Sequence, residues 1–176
     1  MSLDFGIIAD KMPEILAGLS VTIVLWFIST VLGTILGFLV AAGRRFGPAP
    51  LDWALRAMVE VIRGTPFLVQ LFLLYFGGPF IGLSLDPIPA GLLGLTVYGA
   101  AYFSEIFRAG FQAIPKGHVE AAECVGLSQS QILRRILLPE MAMLVLPQSV
   151  NMAVILIKET AEIGRASCRE RVCQYV

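Results

Sequence analysis

Long apolar runs alternate with short polar punctuation along this chain. Ile15 to Gly43 carries no charge. At ~1.5 Å per residue it makes roughly 43 Å of helix against a hydrocarbon core of about 30 Å, so it predicts a first membrane span with length to spare for tilt. Arg44 and Arg45 close that run, and Phe46-Gly47-Pro48-Ala49-Pro50 is a turn-rich connector. Leu51 to Ile62 sets Asp52, Arg56 and Glu60 among Trp53, Leu55, Met58 and Val59, the pattern of an amphipathic helix lying at a membrane interface. Gly64 to Leu85 is the next uncharged run; its break at Gly77-Gly78-Pro79 puts the end of a second span near Phe76. Pro87 to Ser104 predicts a third span and Met141 to Ile157 a fourth.

Two of these spans carry small residues at helical spacing. Gly33 and Gly37 let another helix approach closely, either within the chain or from a second copy, and Gly91, Gly94 and Gly99 give the third span a similar surface. The fourth contains Pro147, Gln148, Ser149 and Asn151, a polar set that should face protein or a water-filled path rather than lipid.

Between the third and fourth spans lies a polar stretch, Glu120 to Pro139, EAAECVGLSQSQILRRILLP. Pro115 sits where a first helical turn tolerates a missing N–H, and Glu120-Ala121-Ala122-Glu123 are good helix formers. Gly126 supplies a left-handed residue to end that helix, and Ser128 with Gln131 three residues on has the form of a capping box that starts another. The prediction is two short helices joined at Gly126, projecting from the membrane as a compact knob.

Composition agrees with a bilayer location. The chain is 57% hydrophobic with a mean hydropathy of +0.80, too apolar for a soluble domain of 176 residues. Formal net charge is zero, so nothing points to nucleic acid as a partner. Three cysteines and a single histidine, His118, lack metal-ligand spacing, and neither a disulfide nor a zinc site follows. There is no glycine-rich phosphate loop, no carboxylate pair in a plausible cleft and no sign of a cofactor; the chain does not read as an enzyme. The distribution of charge is more informative than its sum. Arg44, Arg45, Arg56, Arg63, Arg108, Lys116, Arg134 and Arg135 follow the first and third spans, whereas Lys11 and Lys158 lie on the opposite side. The positive-inside tendency then puts the polar loop in the cytoplasm and the N-terminus outside.

The spacing within the loop also resembles a known family. Glu120-Ala121-Ala122, Gly126 separated from the triplet by three residues, Ile136, and Leu138-Pro139 are similar to the EAA loop of membrane subunits of bacterial ATP-binding-cassette importers. Glu60 to Gln70, EVIRGTPFLVQ, and Leu156-Ile157-Lys158-Glu159-Thr160 resemble stretches of the polar amino acid branch, the latter a turn after the fourth span. The first of these also reads as a capped helix entry, with Thr65-Pro66 starting the span and Arg63 anchored to headgroups.

The resemblance implies an all-α, polytopic transmembrane bundle in the bacterial inner membrane, with four spans here where the family has five, and a cytoplasmic helical coupling loop. It implies a subunit that moves a polar amino acid while ATP is hydrolysed by a separate ATPase subunit. Further partners would be a periplasmic or lipid-anchored amino acid binding protein, which largely sets selectivity, and a second permease copy or paralogue. In this scheme Glu120 is a polar contact on the coupling helix and Ala121 and Ala122 are small faces admitting close docking. Gly126 is the turn, and Ile136, Leu138 and Pro139 seat the second helix against the spans. Gln148 and Asn151 are the candidate translocation path. Two other classes compete: an ion-coupled secondary transporter, which should show ionisable residues deep in its spans, and a non-transporting membrane scaffold.

Beyond Ala161 the text changes. Glu162 to Val172, EIGRASCRERV, crowds Arg165, Arg169 and Arg171 with no apolar run, against the charge rule followed elsewhere, and it resembles a translated DNA-sequencing adaptor. The expectation is a permease domain over 1–161 that lacks its last span, and a foreign tail over 162–176 without tertiary contacts from Ile163 onward.

Overall fold

The computed structural model describes residues 5–82 and 84–173, with side chains throughout except at 5–11, 14, 81, 162 and 164–173. Its elements are helical: α1 (Phe5–Phe46), α2 (Ala49–Gly64), α3 (Phe67–Phe72), α4 (Pro87–Ala113), α5 (Lys116–Cys124), α6 (Gln129–Ile132) and α7 (Leu138–Cys173). A π-helical turn (Leu73–Gly77) and a 3₁₀ turn (Gly78–Ile81) extend α3, and a second π-helical turn (Leu133–Leu137) joins α6 to α7. Three stretches are long and apolar enough to cross a membrane, Ile15–Phe46, Pro87–Ala113 and Gln129–Ala161. A fourth crossing is made only if α2 and α3 with its extension count as one span, and that pair is bent by 104°.

Helix α4 is the centre of the bundle. Its apolar core is 67% buried, whereas those of the α1 and α7 spans are 22% buried and turn most of their surface outward. Small residues put it there. A Cβ on Gly37 would come within 2.6 Å of the Phe103 Cβ and 2.9 Å of the Ala100 carbonyl oxygen, so α1 meets α4 backbone to backbone. The glycine pair of the first span therefore packs within the chain. Gly91 admits Ile163, Gly99 admits Leu156 and Gly110 admits Val145 from α7, while a Cβ on Gly94 would lie 3.5 Å from the Phe67 ring of α3. Where lipid removes the hydrophobic drive between helices, such close backbone approach supplies the dispersion energy that holds them. The order of these pairs sets direction: α1 runs parallel to α4 and α7 antiparallel. The C-terminal ends of α1 and α4 thus share one end of the bundle with α5 and α6.

The bend between α2 and α3 falls at Thr65-Pro66. Pro66 keeps Thr65 extended, at φ −109° and ψ 137°, and ends α2. The freed carbonyls are then covered by a side chain further on. Gln70 Nε2 lies 2.6 Å from the Ile62 carbonyl oxygen, 2.9 Å from that of Thr65 and 2.7 Å from Thr65 Oγ1. The EVIRGTPFLVQ stretch is thus a self-stitched corner. The Arg63 guanidinium lies over the Tyr102 ring at 5.1 Å.

Three expectations from sequence need correction. The second helix of the polar loop is not a separate short helix, because α6 passes through a π-helical turn into α7 and the whole of Gln129–Ala161 reads as one span. The turn expected at Leu156 to Thr160 is also absent: α7 continues to Cys173, and the Thr160 hydroxyl donates back to the Ile157 carbonyl at 2.6 Å, a bond compatible with helix. Ile163 is 7% exposed and packs on Gly91, so it does have tertiary contacts. The reason is register, since Ile163 lies seven residues after Leu156 and repeats the same apolar face. Side chains at 164–173 and residues 174–176 lie outside those described.

Candidate functional site

The polar loop folds as a tight hairpin with both of its ends fixed by hydrogen bonds. At the end of α5 the Leu127 N–H donates to the Ala122 carbonyl at 3.1 Å and the Gly126 N–H to that of Glu123 at 2.9 Å. With Gly126 at φ +81° this is a Schellman motif, a stop that needs a residue free of Cβ strain. Two residues later the Gln131 side chain accepts the Ser128 N–H at 2.9 Å, the capping-box contact that opens α6. His118 Nδ1 lies 2.9 Å from Glu140 Oε1, tying α5 to the first turn of α7.

The loop residues singled out by sequence then separate by face. Glu120, Ala121, Gly126 and Pro139 are exposed, and Ile136 and Leu138 are half-buried against the core. Ala122 is 5% exposed and packs inward with the fully buried Ile132 in the chain's own core. It is therefore not an outward docking face; of the alanine pair only Ala121 is open.

Above the hairpin, one carboxylate gathers guanidinium groups from three helices. Glu105 of α4 accepts from Arg44 Nη1 of α1 and, at 2.9 and 2.7 Å, from Nε and Nη2 of Arg108 on its own helix. Arg63 Nη1 of α2 stands 3.8 Å away. The Arg44 side chain, 7% exposed, also reaches Asp52 Oδ1 at 3.3 Å. Charge-assisted contacts of this kind are strong where water is scarce, and they clamp the ends of α1, α2 and α4 together.

A cavity of about 520 Å³ opens between this cluster and α7. Gln148 and Asn151 line it from α7, opposite Arg63, Tyr102, Glu105 and Arg108. The structure therefore brings the two candidate path residues together with a carboxylate and two guanidinium groups. A small zwitterion could meet both signs of charge and two amides on those walls. Among the described residues there is no group of three or more His, Cys, Asp or Glu suited to a metal ion.

Sequence reasoning missed Glu105 as a hub. The Glu105/Arg108 spacing was visible as charges entering one side of a helix, but Arg44 and Arg63 are distant in sequence and reach it only through tertiary packing. It also missed the His118–Glu140 link, for which spacing gives no signal.

Residues 33–164 match the family model of the binding-protein-dependent transport system inner membrane component. The chain is 36% identical over 152 residues to the probable amino-acid ABC transporter permease protein YckA of Bacillus subtilis, covering 86% of this chain and 67% of that one. It is 36% identical over 162 residues to the arginine transport system permease protein ArtQ of the same organism, covering 92% and 74%. To its L-cystine transport system permease protein TcyB it is 36% identical over 149 residues, covering 85% and 64%. The chain thus spans about two thirds to three quarters of these relatives. Among solved structures it superposes on one described as a crystal structure of an amino acid ABC transporter with histidines, with a TM-score of 0.88 and 30% identity over 100% of this chain and 85% of that one.

Proposed function

Since this chain belongs to the binding-protein-dependent transport inner-membrane family, as a multi-pass permease of the polar amino acid ABC type whose ATPase is a separate subunit, we propose that it carries a polar amino acid across the cytoplasmic membrane through the cavity beside α7. One observation carries the reading: Gln148 and Asn151 share that open cavity with Glu105, Arg63 and Arg108, so two amides and both signs of charge face one solute-sized space. Relatives named for arginine and for L-cystine are each 36% identical to the chain, so overall similarity favours neither solute. The α5–α6 hairpin is the docking element for the ATPase subunit, with Glu120 and Ala121 on its open face and Gly126 setting its turn. A binding protein delivers solute at the opposite end, and a second permease, a copy or a paralogue, covers the outward faces of α1 and α7. The hairpin lies in the cytoplasm and the N-terminus outside, in keeping with the basic residues gathered at the hairpin-bearing end.

The test is uptake of labelled amino acids by proteoliposomes holding the chain with its ATPase subunit and binding protein. Asn151→Ala and Gln148→Ala should raise the half-saturating solute concentration about tenfold each, the effect of losing roughly 1.4 kcal/mol of polar contact. Unchanged half-saturation and rate in the double variant would remove the cavity from the transport path.

A further inference from the structure

A second cavity, of about 430 Å³, lies between the ends of α1, α2 and α4 and has no part in the transport reading above, beyond sharing Arg63, Glu105 and Arg108 with its wall. Five arginines line it: Arg44, Arg45, Arg56, Arg63 and Arg108. Only three carboxylates face them, Asp52, Glu60 and Glu105. Each carboxylate already has an arginine partner, Asp52 at 3.3 Å from Arg44 and Glu60 at 3.1 Å from Arg56, with Glu105 held by Arg44 and Arg108. The walls therefore retain an excess of two positive charges. Arg45 carries most of what is unanswered. Its guanidinium sits over the rings of Phe111, at 5.2 Å, and Phe46, at 5.7 Å, with no carboxylate partner among the described residues. Ring faces orient a guanidinium without neutralising it.

Position selects the kind of anion. The cavity lies where the Ile15–Phe46 and Pro87–Ala113 spans both end, which is headgroup depth whichever way the chain faces. Helix α2 supplies Asp52, Arg56, Glu60 and Arg63 to the cavity. It also leaves Trp53 and Val61 74% and 67% exposed, apolar surface suited to acyl chains beside the pocket. An exposed tryptophan at this level is the ordinary interfacial anchor. A soluble phosphate would gain nothing from that apolar flank.

We propose that the arginine-lined cavity between the ends of α1, α2 and α4 binds the phosphate of an anionic phospholipid headgroup, with the acyl chains running along the exposed face of α2. Bound there, the phosphate supplies the missing negative charge and holds the ends of the three helices together.

The purified chain in detergent micelles is titrated with phosphatidylglycerol, phosphatidylcholine or inorganic phosphate. Lipid retention is read by native mass spectrometry and thermal unfolding. Phosphatidylglycerol should be retained and should raise the unfolding temperature, with a zwitterionic phosphatidylcholine well behind. Arg45→Gln and Arg56→Gln should each weaken phosphatidylglycerol binding about fivefold, the scale of one basic residue near an anionic surface. Arg45→Lys, which keeps the charge, should restore most of it. Arg56 sits in an exposed ion pair, so its replacement tests the site even if Arg45→Gln folds poorly. Equal retention of phosphatidylglycerol in wild type and both glutamine variants would overturn the site. Stabilisation by inorganic phosphate with none by phosphatidylglycerol would overturn the lipid as its source.

Discussion

Replacing Gln70 tests whether the corner between α2 and α3 is held by one side chain. In the native chain its amide nitrogen is within 2.6 to 2.9 Å of the Ile62 carbonyl, the Thr65 carbonyl and the Thr65 hydroxyl oxygens. An amide has two N–H groups, so two full hydrogen bonds are lost in Gln70→Leu. At about 0.5–1.5 kcal/mol net for each, the loss is about 1–3 kcal/mol. The upper part of that range applies to the Thr65 carbonyl, for which no other donor is present among the described residues. The Ile62 carbonyl keeps the Thr65 hydroxyl at 3.2 Å. Gln70→Glu keeps the shape but turns an acceptor toward three oxygens, so it should be worse than leucine. Thermal unfolding in micelles should rank wild type above Gln70→Leu above Gln70→Glu. For a chain of this size the scale is about 2–4 °C per kcal/mol. Hydrogen exchange should quicken at Val69 and Gln70, whose amides bond to the Pro66 carbonyl. Equal unfolding temperatures for wild type and Gln70→Leu would show that the proline alone makes the corner.

Two further outcomes concern the hairpin. Gly126→Val places a β-branched side chain at φ +81° and should cost about 1–2 kcal/mol locally, weakening co-purification with the ATPase subunit while the spans remain inserted; undiminished co-purification and uptake would remove the turn from coupling. Cys124 is exposed on the hairpin and serves as a native reporter of orientation. With Cys168 and Cys173 changed to serine, a membrane-impermeant maleimide should label it only after the cells are opened, and ready labelling in intact cells would reverse the proposed topology.

Local signals decide the hairpin turn and three of the four expected spans; the apolar run Gly64 to Leu85 makes a crossing only together with α2. Gly126, Ser128 and Gln131 took up the stop and start that their chemistry dictates, and three long apolar runs became spans. What escaped was decided by contacts between distant segments. Lys158 and Glu159 looked like the end of a helix, yet Leu156 and Ile163 on the same face find glycines of α4 opposite them, and that packing carries the helix through. Ala122 looked like part of a docking surface because small residues suit close approach, but which partner it approaches is set by the inward rotation of α5 onto Ile132. Arg63 reads from sequence as part of a capped helix entry; its contacts with Glu105 and Tyr102 come from another helix and carry no local signal. The Glu105 hub required three helices to converge, and no pattern within one of them announces that.

The hairpin is attached differently at its two ends, and this asymmetry bears on how the proposed coupling would work. Toward α4 it is joined through Ile114 and Pro115, both extended, with ψ of 125° and 133°, a short hinge without helical continuity. Toward α7 it runs on as helix through the π-helical turn, and the His118–Glu140 contact braces α5 to the same helix. A force applied at Glu120 therefore pivots at Ile114-Pro115 and passes stiffly into α7. From Gln131 to Gln148 is seventeen residues, roughly 26 Å at about 1.5 Å per residue of helix that includes the π-helical turn and Pro147, so the cavity amides lie on the same helical path as the hairpin. On the far wall, Glu105 and Arg63 are tied to α1 and α2 and stay behind. The seam between α4 and α7 includes three glycines of α4, Gly110, Gly99 and Gly91, that face Val145, Leu156 and Ile163. Such a seam permits one helix to shift against another between packed arrangements. The displacement that ATP binding would impose on the hairpin thus opens or narrows the gap between Gln148 or Asn151 and Glu105, the gap in which the solute is proposed to sit.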